Sequence, residues 1–215
     1  LADDGVLRSG SWSCSAGGWP SPNPKAHTEI FYVLSGYGCL SDADGMKHYF
    51  GPGDSVIIPK GHTGRWDVNV DMHKIWSVNA HPEIAETSNP IRVQVDHYHS
   101  FAPQYLQPPN GNNGGNRDPL YGFFSKSIFY KTFYNVGPTQ VGIWACSPTF
   151  SDSLVVSNNP MRTWFHLLEG VVYIADATTG RAQRCVAGDT VMFPRGWSGS
   201  IDVIEPVKKL WTTAV

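Results

Sequence analysis

HTEIFYVLSGYGCLSDADGMKHYFGPGDSVIIPKG, residues 27–61, decides how this chain folds. EIFYVL (29–34), KHYF (47–50) and DSVII (54–58), bounded by turn residues such as Ser35-Gly36, read as period-2 runs. A period of two marks strands with one face against a core. Asp44-Gly45 sits where a hairpin turn belongs. Gly51-Pro52-Gly53 makes a corner in which a side chain would obstruct the backbone, and Pro59-Lys60-Gly61 closes the unit.

The same unit returns later in the chain. Gly10-Ser-Trp12-Ser-Cys14-Ser matches Gly142-Ile-Trp144-Ala-Cys146-Ser, and HTEIFYVLSG lies over MRTWFHLLEG (161–170). GPGDSVIIPKGHTGRWDV (51–68) then lies over VAGDTVMFPRGWSGSIDV (186–203) without a gap, and Lys74-Ile-Trp76 falls on Lys209-Leu-Trp211. So many matches in one order imply an internal duplication. The expected organisation is a first β unit over 1–82, a connector over 83–138 and a second β unit over 139–215. Within the connector, Ile91–Val95 reads as a strand passing between the units. PPNGNNGGNRDP (108–119) reads as a surface loop, and the aromatic run 121–134 as a segment that packs on a barrel or across an interface.

Composition narrows the function classes. Of 215 residues, 41% are hydrophobic and only 16% charged, with a formal charge of -2. That is enough for one or two real cores, and it leaves no electrostatic footprint for nucleic acid. No apolar run reaches the roughly 18 residues of a spanning helix, so membrane insertion is not expected. Cys14, Cys39, Cys146 and Cys185 lack CxxC spacing and read as buried thiols. The chain starts at Leu1 rather than Met, as either a processed mature chain or a trimmed one would, and nothing in it points to a compartment.

Glu29 stands seven residues before Gly36, and Gly53 six before Pro59, which is followed by Gly61. These spacings resemble the two motifs of the cupin superfamily, E-x6-G and G-x5-P-x-G. The Gly-x-Trp-x-Cys opening and the repeated K-x-W ending resemble the subgroup with ureidoglycine aminohydrolase-type and ethanolamine-utilisation-type domains. The resemblance implies an all-β chain of two tandem cupin barrels (jelly rolls, or double-stranded β-helices). It also implies a homodimer or a subunit of a larger assembly.

A cupin metal site adds an H-x-H pair before the glutamate and a histidine three residues past P-x-G. Here the pair would fall on Pro22–Lys25 and the last histidine on Gly64. In the second unit Thr163 and Gly199 replace the glutamate and that histidine, so neither unit carries the standard set. Three readings remain for the first unit. Glu29, with His27 two residues away on the same face and His62 nearby, forms an atypical divalent-metal site or a metal-free proton-transfer site, or else it makes a buried hydrogen bond while His27 and His62 sit at turns or the rim. Phe31, Trp66, His73 and Trp76 are the candidate substrate-binding residues around them. His97-Tyr-His99 is the one H-x-H in the chain and reads as a solvated or capping pair. In the second unit, Thr163, Phe165 and Leu167 should point inward beneath Trp197, filling a structural core. Tyr32 and His166, on the opposite face, are expected at a surface or an interface. The function expected is hydrolase, isomerase or lyase chemistry on a small molecule. Its rival is a non-catalytic ligand-binding or assembly subunit.

Overall fold

The structure is a computed structural model that describes residues 2–3, 5–81, 90–97, 128–149 and 153–215. They form two compact units, Leu1–Phe101 and Ala102–Val215. Every described element is a strand, and all pairings are antiparallel.

The first unit holds β1 (Ala2–Asp3), β2 (Leu7–Cys14), β3 (Gly17–Ser21), β4 (Thr28–Asp42), β5 (Lys47–Phe50), β6 (Asp54–Ile58), β7 (Gly64–Asn79) and β8 (Gln94–His97). Their order in the sheet is β1-β2-β7-β4-β6-β8, with β3 on β7 and β5 on β4. The second holds β9 (Ile128–Val136), β10 (Thr139–Cys146), β11 (Leu154–Val156), β12 (Arg162–Asp176), β13 (Ala182–Val186), β14 (Thr190–Phe193) and β15 (Gly199–Ala214). Its order is β13-β12-β15-β10-β9, with β11 on β15 and β14 on β12. The long pair β4–β7 in one unit corresponds to β12–β15 in the other, which is the duplication read from sequence.

Two strands lie within the span expected as connector. The strand of the connector is β8, and it pairs with β6 of the first barrel (Val56 opposite Val95). The end of the aromatic run is β9, which pairs with β10 in the second sheet. Tyr130 packs against that core and Tyr134 is buried. The loop 108–119 and residues 121–127 lie outside the described residues.

Alternation places the core. Phe31, Val33, Leu40, Phe50, Val56, Ile58, Trp66, Val68 and Met72 form one buried cluster, with Trp12 and Trp76 packed against it. Each such side chain contributes about 1.5–3 kcal/mol when fully buried. The motif glycine Gly36 has φ +86° where β4 bulges against β7, and a Cβ there would overlap the Asp71 carbonyl. Gly170 repeats this in β12 against the Pro206 carbonyl. All four cysteines are free, three of them buried. No helix among the described residues is long and apolar enough to cross a membrane.

Candidate functional site

Lys74 organises the interior of the first barrel. It stands opposite Val33 of β4 and Trp12 of β2, hence on the face of Glu29 and Phe31. Its Nζ lies 4.0 Å from the Phe31 ring centroid, 4.5 Å from Trp66 and 5.1 Å from Trp12. Ring faces attract a desolvated cation, and the ammonium also donates to Glu29 Oε1 at 2.6 Å. The other carboxylate oxygen, Oε2, accepts from Lys25 Nζ. Lys25 is fixed by its backbone, donating to the His62 carbonyl at 3.1 Å and accepting from Gly61 N–H at 2.8 Å.

Burial alone would raise the Glu29 carboxyl. The Lys74 and Lys25 ammonium groups beside it override that and hold it down at about 2. Desolvation pulls Lys74 below the ordinary lysine value despite the opposing pull of Glu29. The site is therefore a chain of three charges, Lys25–Glu29–Lys74, closed below by three rings.

The other residues singled out by sequence scatter around this chain. Phe31 and Trp66 line it, and Trp76, opposite Phe31, shares their face. His73 points to the other side of the sheet, where its Nε2 and Ser11 Oγ are 2.6 Å apart. His62 does not join Glu29. It is buried with Nε2 2.9 Å from Asp42 Oδ1, and desolvation, opposed by Asp42, lowers its pKa. Asp42 also meets His48 at 2.7 Å, Arg92 at 3.1 Å and Val93 N–H at 3.1 Å. His62 thus belongs to a structural anchor that ties β8's approach to the end of β4. His27 precedes β4, and desolvation, then the charges of Arg8, Lys60, Lys25 and His81, lower its pKa. His97 pairs with Asp54 on β6, and His99 lies outside the described residues.

The profile of the EutQ-like cupin domain matches residues 1–76 and again 136–211. The chain belongs to the EutQ-like cupin family. No match is found among curated proteins. A protein of unknown function from Pseudomonas syringae pv. tomato superposes with a TM-score of 0.71 at 15% identity, covering 100% of this chain and 84% of that one. A cupin 2 conserved barrel domain protein from Leptotrichia buccalis gives 0.67 at 12% identity, with 100% and 86% covered. A salicylate 1,2-dioxygenase from Pseudoaminobacter salicylatoxidans gives 0.63 at 13%, with 97% and 71% covered. At such identities the likeness shows the fold alone.

A divalent metal does not fit this cupin's first barrel at Glu29. Both carboxylate oxygens already face ammonium groups, and His62 is turned to Asp42. Among the described residues no three His, Cys, Asp or Glu side chains gather to hold an ion. Gly64, at the last histidine position, has no room for a side chain, since a Cβ would overlap the Ser41 carbonyl oxygen. Gly199 is blocked in the same way by Ala175. Of the expected trio His27, Glu29 and His62, the structure sets Glu29 between Lys25 and Lys74 and His62 on Asp42.

The second barrel keeps part of the pattern. Thr163, Phe165 and Leu167 are buried as expected, and Lys209 Nζ lies 4.4 Å from Phe165 and 4.5 Å from Trp144. In place of the Lys25–Glu29 ion pair, Asn159 Nδ2 donates to Thr163 Oγ1 at 3.3 Å. Trp197, in the place of His62, donates from Nε1 to Asp176 at 2.8 Å. His166 is not at a surface. It is buried, 3.1 Å from Thr190 Oγ1, and desolvation takes its pKa to about 4. The one sequence signal for the lysines was the repeated K-x-W ending, in which Lys74 and Lys209 align.

Proposed function

We propose that the first barrel is a metal-independent acid–base site acting on a small molecule, with hydrolase, isomerase or lyase chemistry. Lys74 is the proton donor. Its ammonium is desolvated and of lowered pKa, which makes it a stronger acid than a lysine in water. Glu29, held at about 2, is too weak a base to abstract a substrate proton. It orients Lys74 and returns charge balance as the proton leaves. Lys25, part-exposed at the rim, is placed to meet substrate before Lys74 does. Phe31, Trp66 and Trp12 supply the apolar floor.

The observation that carries this reading is the difference between the two barrels. Both retain a lysine over aromatic rings, yet only the first adds the buried carboxylate and second lysine. Barrel packing therefore does not require the charges. Turnover of a panel of small esters, amides and oxo acids, followed by NMR, tests it. Activity that survives chelation and is lost in Lys74→Met supports the reading, and activity removed by chelation overturns it.

A second reading, a non-catalytic ligand-binding or assembly subunit, is favoured by how fully the interior is filled. Phe31 and Val33 are wholly buried and Lys74 is 5% exposed. Under this reading the chain works as a homodimer or within a larger assembly. Sedimentation showing a concentration-independent monomer would remove the assembly part.

A further inference from the structure

Four separate segments of chain meet at the end of the first barrel where β4 begins. Lys60 N–H donates to Thr28 Oγ1 at 3.2 Å, and that hydroxyl lies 3.1 Å from His81 Nε2. Lys60 Nζ donates to the His81 carbonyl. Lys25 is tied to Gly61 and His62 through the backbone bonds described above. Arg8 stands opposite Val78, which stands opposite Glu29, so Arg8 lies on the same inner face as Glu29.

This end is rich in positive charge. Arg8, Lys25, Lys60 and His81 all act on His27. The carboxylate beside them, Glu29, is already shared between Lys25 and Lys74. His27 Nδ1 is buried without a hydrogen-bond partner. A buried polar atom left so, among several cations, calls for a ligand that accepts hydrogen bonds and carries negative charge. The second barrel shows that the fold does not need this set. Gln140, Asn159 and Met161 stand in the places of Arg8, Lys25 and His27, while Arg195 keeps that of Lys60.

We infer that the mouth of the first barrel binds a small oxyanion, the carboxylate or phosphate group of a small molecule, between Arg8, Lys25, Lys60 and His27. This deepens the functional reading above by naming the chemical class of its ligand, and binding alone tests it. The anion bridges cations that otherwise repel one another, and His27 completes its coordination by donating from Nδ1. Binding favours the protonated imidazole. Affinity therefore rises as pH falls through the His27 pKa, against the repulsion of Arg8 on β2, Lys25, Lys60 and His81 and with the attraction of Glu29.

The test is NMR titration of the His27 imidazole, assigned with His27→Gln, using inorganic phosphate and acetate separately at constant ionic strength in chloride. The expected result is a saturable shift of the His27 signals and an upward move of its pKa in one of the two anions. Affinity should fall about threefold to fivefold in each of Arg8→Met and Lys60→Met. Tighter phosphate binding assigns a phosphate ester, and tighter acetate binding a carboxylic acid. No saturable shift with either anion overturns the inference, as does equal affinity in both variants. Saturable binding in a protein without turnover upholds this site while removing the catalytic reading.

Discussion

Replacing Glu29 by Gln removes the middle charge of the Lys25–Glu29–Lys74 chain while keeping its shape. The carboxyl sits at about 2 against an ordinary 4.5. That difference, about 2.5 pH units at about 1.4 kcal/mol each, is worth about 3 kcal/mol at pH 7. The side chain is 12% exposed, so solvent screening removes little of it. Breaking one member of a buried pair costs a comparable amount, about 3–5 kcal/mol, because Lys74 is left among rings without its counter-charge. The folded-state pKa is depressed, so the stabilisation is complete above about 4.5 and is lost as pH falls toward about 2. The wild-type advantage over Glu29→Gln should be about 3 kcal/mol at pH 7 and less than half of that at pH 3. Tryptophans occur in both units, so bulk fluorescence mixes the two transitions. Native-state hydrogen exchange at the Phe31 and Val33 amides reports the first barrel by itself. An advantage below about 1 kcal/mol at pH 7, or one equal at the two pH values, would refute the argument.

Lys74→Met leaves the buried Glu29 with only the part-exposed Lys25 as partner, and Lys74→Met/Glu29→Gln should melt at a higher temperature than Lys74→Met alone, because the double variant removes the buried carboxylate and the one charge it leaves unpaired, Lys25, is solvated at the rim. Asp42→Asn weakens bonds to His48, His62, Arg92 and Val93 at once, and should lose about 2–3 kcal/mol by urea unfolding while exchange at Val95 and Asp96 quickens. Those partners hold the Asp42 carboxyl below its ordinary value although burial pushes it up, so this contribution is present above about 3.8 and fades as pH falls. Gly64→His, which restores the cupin histidine in sequence, should yield insoluble or unfolded first barrel and no metal uptake by elemental analysis, since a Cβ there overlaps the Ser41 carbonyl.

The fold was legible because it rests on local signals that repeat. Period-2 runs gave β4, β5 and β6, and the aligned GD corners gave the duplication. Gly36 and Gly170 were readable as motif glycines, and the structure supplies their reason in the bulges they permit. The extent of the units was less legible. β8 and β9 take their places by pairing with β6 and β10, partners distant in sequence that no window of residues announces. In the site, Glu29 was found from its motif spacing and its neighbours were not. His27 and His62 lie near it in sequence, but the turn after Pro59 swings His62 onto Asp42. The actual partner, Lys74, is 45 residues away and reaches Glu29 only through the β4–β7 register.

The duplication also separates what the barrel needs from what the first barrel adds. Lys74 and Lys209 both lie over a Trp and a Phe at corresponding positions, so the caged lysine is part of how this barrel packs. His62 and Trp197 both satisfy an aspartate at the same corner, so a donor to that aspartate is likewise structural, and the imidazole there is one of two solutions. The Lys25–Glu29 pair has a different standing. Its counterpart is Asn159 with Thr163, a neutral hydrogen bond that bridges the same two backbone positions. Burying a charged pair where an uncharged one suffices costs desolvation that packing does not return. Arg8 and His27, replaced by Gln140 and Met161, follow the same division. The charges at the mouth of the first barrel therefore answer to something other than the fold, and a ligand of opposite charge is what their arrangement can hold.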